Sequence, residues 1–270
     1  MTAAEDSLVV TDLRVEFDGF VAVDGVSFDA HPGEVRFLIG PNGAGKTTCI
    51  DAITGLSRGT GSVKLGDQEL LGKSTQKIVR LGVGRTFQTA SVFEQLSVLQ
   101  NLDIAAGLHR SSLSLLRARR GVDPAIEVAL EETGLTKERE TPAGILSHGQ
   151  KQWLEIGMML VQHPRALLLD EPVAGMSQDE RTATGELLQR IAQRRIVLVV
   201  EHDMDFMRRY AARVTVLHQG KLLSEGTVAQ VQADPRVQEV YLGTAGAPTT
   251  AAMLAVPDAA TDAVTEGEGA

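Results

Sequence analysis

The sequence predicts an α/β protein with a central parallel sheet and a smaller antiparallel sheet near its N-terminus. Continuous apolar runs at 35–39, 166–169 and 196–200 have the length and composition of strands that are buried on both faces. Residues 8–30 instead alternate apolar and polar side chains around Asp18-Gly19, which is typical of an antiparallel hairpin. Two kinds of sheet are therefore expected.

The remaining elements come in order along the chain. An alternating segment at 62–65 extends the small sheet, and residues 94–162 read as a mostly helical insertion. Asp123-Pro124 is typical of a helix start, and Gly134 is typical of the end of that helix. Ser97 is suited to cap a helix whose predicted apolar face comprises Val98, Leu99, Leu102, Ile104 and Ala105.

The C-terminal tail is predicted to be disordered. Residues 244–270 are rich in Ala, Thr, Pro and Gly without periodicity, so they cannot bury enough surface to offset the entropy of ordering them. The tail has no Lys or Arg and carries acids at Asp258, Asp262, Glu266 and Glu268. We therefore expect a folded domain over 1–243, with a helical subdomain at about 94–162, and an acidic tail over 244–270.

Composition limits the class of protein. A chain of 270 residues that is 43% hydrophobic can form one large domain with a real core. The net charge of −9 does not indicate a nucleic-acid-binding surface. The single cysteine, Cys49, excludes an intrachain disulfide. No signal-peptide pattern is present, and no apolar run approaches the ~18 residues of a membrane span. We expect a chain that is soluble on its own and reaches a membrane only through a partner.

Residues 40–47, GPNGAGKT, spell a complete phosphate-binding loop between a predicted strand and a predicted helix. Its glycines allow backbone N–H groups to form a concave nest, and the helix N-terminus adds partial positive charge. Lys46 is then expected to reach the β- and γ-phosphates, and the Thr47 hydroxyl is expected to bind Mg²⁺. A glycine-rich turn without a ligand is the alternative.

Acidic and polar side chains come after the other predicted strands. Asp170 and Glu171 stand directly after one buried run and His202 stands after another, at the sheet edge where ligands bind. Asp170 is suited to hold Mg²⁺, and Glu171 to orient or deprotonate an attacking water. The two acids could instead cap the next segment, His202 could be structural, and Gln88 could be surface decoration.

A second phosphate-binding element is predicted at residues 146–150, LSHGQ. Ser147 and Gln150 have the spacing of a capping box for a helix over 151–161. The Ser147 hydroxyl and the Gly149 N–H can also point at phosphate oxygens, because a capped helix start is an anion site. Two separate phosphate-binding elements in one chain favour a composite site that is built across a dimer.

These motifs, in this order, resemble the ATP-binding subunit of an ABC transporter. The resemblance spans about residues 8–243 and rests on GPNGAGKT, Gln88, LSHGQ, LLLDEP at 167–172, and His202. It implies an α/β fold with a RecA-like P-loop ATPase core, an antiparallel β subdomain and a helical subdomain. It also implies a head-to-tail dimer that encloses two ATP molecules.

The resemblance further implies a role for each matching residue. Phe17 corresponds to the aromatic residue that stacks on adenine, and Ser147, Gly149 and Gln150 act on the partner's ATP. Glu171, His202 and Gln88 are the catalytic set, and Thr47, Gln88 and Asp170 bind Mg²⁺. Residues 174–177 form a dimer-contact loop. The nucleotide contacts from the phosphate loop are Gly40, Pro41, Asn42, Gly43, Ala44, Gly45, Lys46, Thr47 and Thr48.

Finer features point to an importer. His148 stands where the family usually has Gly, and Met176-Ser177 stands where Leu-Asp is commoner. The segments LSHGQKQWLEIGMML and LLLDEPVAGM, together with VYLG at 240–243, resemble the ATPase subunits of urea transporters, and the branched-chain amino acid uptake ATPases are the alternative. The implied partners are a second ATP-binding subunit, identical or related, membrane permease subunits and, indirectly, a periplasmic or lipid-anchored solute-binding protein. The implied location is the cytoplasmic face of the cell membrane.

Two other classes of function fit the sequence less well. A soluble ABC protein that acts on ribosomes or DNA usually has two cassettes or a long coiled-coil arm, and the sequence shows neither. A nucleotide-gated interaction protein without useful hydrolysis is disfavoured because Glu171 and His202 are both intact. The expected activity is therefore ATP hydrolysis, and the expected bound ligands are ATP and Mg²⁺.

Overall fold

The computed structural model describes residues 7–86, 91–107 and 122–243, which contain two sheets. From edge to edge, the larger sheet consists of β10 (Lys221–Gly226), β9 (Arg213–His218), β3 (Val35–Ile39), β8 (Ile196–Val200), β7 (Ala166–Asp170) and β6 (Val83–Arg85). All neighbouring pairs from β9 to β6 are parallel, and β10 pairs antiparallel with β9. The predicted α/β fold with a central parallel sheet is confirmed.

The central strands are apolar throughout because both faces of the sheet are covered. Every residue of β3, β7 and β8 is buried. Successive residues point to opposite sides, so Phe37 and Leu38 of β3 belong to two different hydrophobic cores. A strand that has a core on each side needs a continuous apolar run, and this is the pattern that predicts the strands at 35–39 and 196–200.

The smaller sheet is antiparallel and lies on one of these cores. Its order is β2 (Phe20–Ala30), β1 (Leu8–Phe17), β4 (Thr60–Leu65) and β5 (Gln68–Glu69). The β1–β2 hairpin turns at Asp18 and Gly19, both with positive φ, as predicted. Helix α1 (Lys46–Ile53) contributes Cys49 and Ile50 to the core that the two sheets share. Burial raises the pKa of the Cys49 thiol to about 12, so the thiol stays protonated.

Three further helices lie on the other side of the sheet. After α2 (Thr75–Arg80), these are α3 (Val98–Ala106), α4 (Pro124–Thr133) and α5 (His148–Leu160). Ser97 caps α3 with a complete capping box, and Gly134 ends α4 in the left-handed conformation, as predicted. A short 3₁₀ turn at Ala143–Ile145 leads into α5. The start of α5 was predicted three residues late, because the N-cap is Ser147 and the helix begins directly after it.

The predicted apolar face of α3 is wrong at one position. Ile104 is 45% exposed, whereas the polar Asn101 is fully buried. The Asn101 amide donates to the carbonyls of Phe93 and Ser97, and its oxygen accepts the Phe93 N–H at 2.7 Å. Asn101 therefore takes an inward position in order to hold the segment that precedes its own helix, because a buried amide must have its hydrogen bonds satisfied.

The C-terminal part of the described chain completes the structure. Its helices are α6 (Gln178–Ala192), α7 (Met204–Tyr210), α8 (Val228–Ala233) and α9 (Pro235–Gly243). Across the three described ranges, no helix combines the length and the apolarity that crossing a bilayer requires. The predicted tail, 244–270, lies outside the described residues, and the division of the chain at 243 stays a prediction.

Candidate nucleotide-binding and catalytic site

The phosphate-binding loop connects β3 to α1, in the strand–loop–helix order that the sequence predicts. Two of its glycines are needed for close backbone approaches. A Cβ on Gly40 would lie 2.3 Å from the Leu217 carbonyl oxygen, and one on Gly45 would lie 2.7 Å from the Ala22 carbonyl oxygen. The neighbouring strands therefore press on the loop directly and fix its shape.

Lys46 bridges the loop from within. Its Nζ donates to the carbonyl oxygens of Gly40 at 2.7 Å and Pro41 at 3.1 Å. Desolvation lowers the pKa of this ammonium, while the nearby charges of Glu171 and Asp170 oppose that shift. The ammonium group is thus held at the loop by two weak neutral acceptors that phosphate oxygens can replace.

A cavity of about 360 Å³ opens over the loop. Its lining includes Phe20, Ala22 and Glu171, together with the loop residues Asn42, Gly43, Ala44, Gly45, Lys46, Thr47 and Thr48. Phe17 does not line this cavity, although it pairs with Phe20 across the hairpin and both rings are exposed. The aromatic side chain beside the cavity is therefore Phe20, and the role expected for Phe17 stays a prediction.

The predicted acids and His202 meet at one sheet edge. Glu171 comes after β7 with a positive φ of 50°, and its Oε1 lies 3.3 Å from His202 Nδ1. With Gly40, Pro41 and Asn42, these two side chains line a second cavity of about 380 Å³. The structure thus brings together the phosphate loop, Glu171 and His202, as the positions of the three motifs after neighbouring strands predict.

Asp170 is buried one residue earlier. Desolvation raises the pKa of its carboxyl, Arg85 at 3.8 Å opposes this shift, and Glu171 adds to it. The Asp170 N–H donates to Thr86 Oγ1 at 3.1 Å, which connects the end of β7 to the residue after β6. Gln88 lies two residues beyond Thr86, outside the described residues, so its predicted role stays a prediction.

The oxygen atoms at this sheet edge could hold Mg²⁺ together with the phosphates of a bound nucleotide. Asp170 and Thr47 offer oxygen atoms, and among the described residues no cluster of three or more His, Cys, Asp or Glu side chains forms a metal cage. Mg²⁺ is commonly held by one or two protein oxygens together with waters and substrate phosphates. The residues present therefore match a metal that arrives with a nucleotide.

A buried glutamate, Glu201, stabilises the backbone at this sheet edge. It was not identified from the sequence. The Glu201 carboxylate accepts the backbone N–H groups of His202 at 3.0 Å, Asp203 at 3.1 Å and Val173 at 3.3 Å. Desolvation raises its pKa, and these three hydrogen bonds oppose that shift. Its position between a buried strand and His202 was the available signal, because a carboxylate there needs donors from its surroundings.

Arg181 ties the same edge to the predicted contact loop. Its Nη1 donates to Asp203 Oδ2 at 2.5 Å, and its Nε donates to the Met176 carbonyl oxygen at 3.2 Å. Asp203 in turn caps α7 by accepting the Phe206 N–H at 2.9 Å. The segment after Glu171 and the segment after His202 are therefore joined by one guanidinium group, a contact between distant positions that sequence spacing does not reveal.

The C-terminal helix also reaches the second cavity. Tyr241 of α9 lines it together with Met204, Glu171 and His202. Burial raises the pKa of the Tyr241 hydroxyl, so this group stays protonated. The VYLG segment, which the sequence singled out only for its resemblance, thus contributes directly to the wall beside the predicted catalytic residues.

The LSHGQ segment lines neither cavity beside the phosphate loop. Ser147 and Gln150 form the predicted capping box: the Gln150 N–H donates to Ser147 Oγ at 3.1 Å, and the Ser147 N–H donates to Gln150 Oε1 at 3.0 Å. His148 Nε2 lies 3.0 Å from the Ala174 carbonyl oxygen of the contact loop. The two predicted phosphate-binding elements are thus separate in a single chain.

Comparison with known proteins defines the class. Residues 23–174 match the family model described as ABC transporter, and residues 221–247 match the model described as branched-chain amino acid ATP-binding cassette transporter. The chain belongs to the ABC transporter family, and it is an ATP-binding cassette ATPase of a transporter complex. The mixed α/β ABC ATPase fold, ATP as the nucleotide and ATP hydrolysis as the activity are thereby confirmed.

Several named proteins are similar to the chain over nearly its whole length. The high-affinity branched-chain amino acid transport ATP-binding protein LivG of Escherichia coli is 37% identical over 250 residues, which cover 88% of this chain and 98% of LivG. BraF of Pseudomonas aeruginosa, with the same description, is 36% identical with the same coverage. The probable LivG protein of Methanocaldococcus jannaschii is 32% identical over 84% of this chain and 93% of its own length.

Solved structures agree on the fold. An ATP-binding cassette of an ABC transporter in its ADP conformation superposes with a TM-score of 0.76 at 29% identity, over 87% of this chain and 98% of that chain. The cbiO1 protein of Clostridium perfringens superposes with a TM-score of 0.73 at 26% identity, over 87% of this chain and 94% of that chain.

Proposed function

We propose that this chain is the ATPase subunit of an importer for branched-chain amino acids. The observation that carries the proposal is the C-terminal match: residues 221–247 fit the branched-chain amino acid model, and this segment includes Tyr241 beside the catalytic edge. The near full-length similarity to LivG and BraF supports the same solute class. Neither of these relatives is described as a urea transporter, so the branched-chain alternative replaces urea as the preferred assignment.

We assign the nucleotide contacts as the sequence predicts them. The loop N–H groups and Lys46 bind the phosphates, because they form a preformed concave site with one ammonium group. Thr47 and Asp170 would hold Mg²⁺ together with the nucleotide, and the bound ion would supply positive charge beside the phosphate groups. Ser147, Gly149 and Gln150 contact the nucleotide of a second ATP-binding subunit, since they lie away from their own chain's cavities.

Glu171 and His202 carry the chemistry in this proposal. Glu171 accepts a proton from the attacking water as the water oxygen bonds to the γ-phosphorus and the bond to the ADP oxygen breaks. His202, 3.3 Å from Glu171, orients that carboxylate and senses the γ-phosphate. Glu201 and Arg181 hold both residues in place through the backbone. ATP binding closes the dimer of ATP-binding subunits, and hydrolysis reopens it. The helical region passes this movement to permease subunits at the cytoplasmic face of the membrane. A solute-binding protein delivers solute to the permease subunits.

Solute uptake tests the assignment directly. In a strain lacking the chromosomal gene, plasmid-borne wild-type chain should restore uptake of radiolabelled leucine and leave urea uptake unchanged. Glu171→Gln should fail to restore leucine uptake, and Asp179→Asn, which alters an exposed acid away from the cavities, should restore it. Restoration of urea uptake alone would overturn the proposed solute. Co-purification of ribosomes or DNA instead of permease subunits would overturn the transport assignment.

A further inference from the structure

The phosphate-binding groups of the LSHGQ segment are already engaged by a carboxylate of the same chain. Ser147 Oγ donates to Glu180 Oε1 at 2.8 Å, and the backbone N–H of Gly149 is among the groups that lower the pKa of the same carboxyl. Glu180 lies in the first turn of α6, immediately after the contact loop. The Glu180 carboxylate therefore lies at the Ser147 hydroxyl and at Gly149, the two groups that the proposed function assigns to phosphate oxygens of the partner's nucleotide.

Neither donor can serve two anions at once. The Ser147 hydroxyl has one proton, and its oxygen already accepts the Gln150 N–H. The Gly149 amide also has one proton. A phosphate oxygen can take the Ser147 hydrogen bond only after the Glu180 carboxylate has released it, and two anions at the same place repel each other.

Glu180 is held at this position by the contact loop as well. Its Oε2 accepts the Ser177 N–H at 3.0 Å and the Ser177 hydroxyl at 2.9 Å. The Ser177 and Ser147 hydrogen bonds hold the pKa of Glu180 below its usual range, so the group is an anion at neutral pH. A Cβ on Gly149 would lie 2.6 Å from Glu180 Oε1, so this close contact depends on glycine at position 149.

We propose that Glu180 is a positioning residue that occupies the phosphate-binding groups of the LSHGQ segment in the free chain and leaves them when the partner's ATP arrives. This inference rests on the proposed function of Ser147 and Gly149. Glu180 then raises the ATP concentration that is needed for dimer closure without affecting the phosphate loop of its own chain. Because the same carboxylate binds Ser177, its release also frees the end of the contact loop at the moment of closure.

The test compares Glu180→Gln with a matched control. Glutamine also fits the third helical position of a capping box, so the cap of α6 is retained while the charge is removed. Asp179→Asn removes the same charge from an exposed position one residue earlier. In full-length chains that also carry Glu171→Gln, analytical ultracentrifugation gives the MgATP concentration at which half of the chains are dimeric.

Glu180→Gln should lower that concentration about fivefold, the difference between a charged and a neutral acceptor competing for the donors. Asp179→Asn should leave it unchanged, Ser147→Ala should raise it, and ATP affinity of the monomers should stay the same. A purely structural role for Glu180 would lower the melting temperature without lowering the MgATP requirement.

The outcomes separate this inference from the proposed function. If Ser147→Ala raises the MgATP requirement while Glu180→Gln leaves it unchanged or raises it, the inference is wrong and the shared site stands. If neither variant changes it, the shared site itself is wrong. Should the chain not pair with itself, the KM for ATP of the permease complex retrieved on a tagged chain decides in the same way, since that complex contains the second ATP-binding subunit.

Discussion

The phosphate loop and the LSHGQ segment are both proposed to bind phosphate at a helix start, but the chain prepares them differently. At the loop, Lys46 and the N–H nest face an open cavity, and the hydrogen bonds that Lys46 makes to described residues go to neutral carbonyls. At the LSHGQ segment, the Ser147 hydroxyl is bound to an internal carboxylate, Glu180, which also lies against Gly149. The first site is therefore ready for a nucleotide from solution, whereas the second must exchange one anion for another.

This difference gives the two regions separate thermodynamic roles. In the proposed site, nucleotide affinity belongs to the loop, because among the described residues Lys46 donates to neutral carbonyls and not to a carboxylate. In the proposed site, dimer closure belongs to the LSHGQ segment, because the Ser147 hydroxyl becomes available when a partner's nucleotide competes successfully with Glu180. A variant in either region should change one of these quantities and leave the other largely unchanged.

The largest expected effect is on the rate of ATP hydrolysis, which we assign to Glu171. Glu171→Gln should lower kcat by about 10²- to 10⁴-fold, since it removes the group that accepts the proton of the attacking water. ATP affinity should be retained, because Lys46 and the loop are untouched. Single-turnover hydrolysis and equilibrium nucleotide binding measure the two quantities. Hydrolysis at the wild-type rate would show that Glu171 does not act on the water.

A smaller effect is expected at Glu201, which holds the backbone at the predicted catalytic edge. Glu201→Gln should lower kcat about tenfold at nearly constant KM, because an amide NH₂ replaces one oxygen that accepts backbone N–H groups. Steady-state ATPase kinetics of the transporter complex check this.

The matched control for Glu201 is Glu225→Gln. Glu225 pairs with the buried Arg36 guanidinium in the same sheet, away from the site. This variant should lower the melting temperature and leave kcat unchanged. Equal losses of kcat in the two variants would mean that Glu201 acts only through stability.

The smallest effect is expected at His148, which joins the LSHGQ segment to the contact loop. His148→Gly places the family's usual residue there and removes the hydrogen bond to the Ala174 carbonyl. A loss of about 1 kcal/mol in unfolding free energy is expected, which corresponds to a fall of roughly 2–4 °C in Tm for a chain of this size. Calorimetry measures it. A large loss of ATP affinity would contradict the separation of the two regions.

Much of the fold was predictable because the local pattern determines it. The strand at 196–200 and the helix α1 were placed correctly, since a doubly buried strand is continuously apolar and a phosphate loop leads directly into a helix. Ile104 was misplaced because Asn101 has a tertiary task that periodicity does not encode. Glu180 and Glu201 were missed because their partners come from other elements, and only the folded chain brings those donors together.

Nucleotide affinity of the monomeric chain, measured by calorimetry for Lys46→Ala and Ser147→Ala in parallel, tests the central claim most directly. Lys46→Ala should abolish measurable ATP binding, because it removes the ammonium group that contacts the phosphates. Ser147→Ala should bind ATP as the wild-type chain does, because its hydroxyl acts on another subunit's nucleotide. An equal loss of affinity in both monomeric variants would contradict a site shared between two subunits.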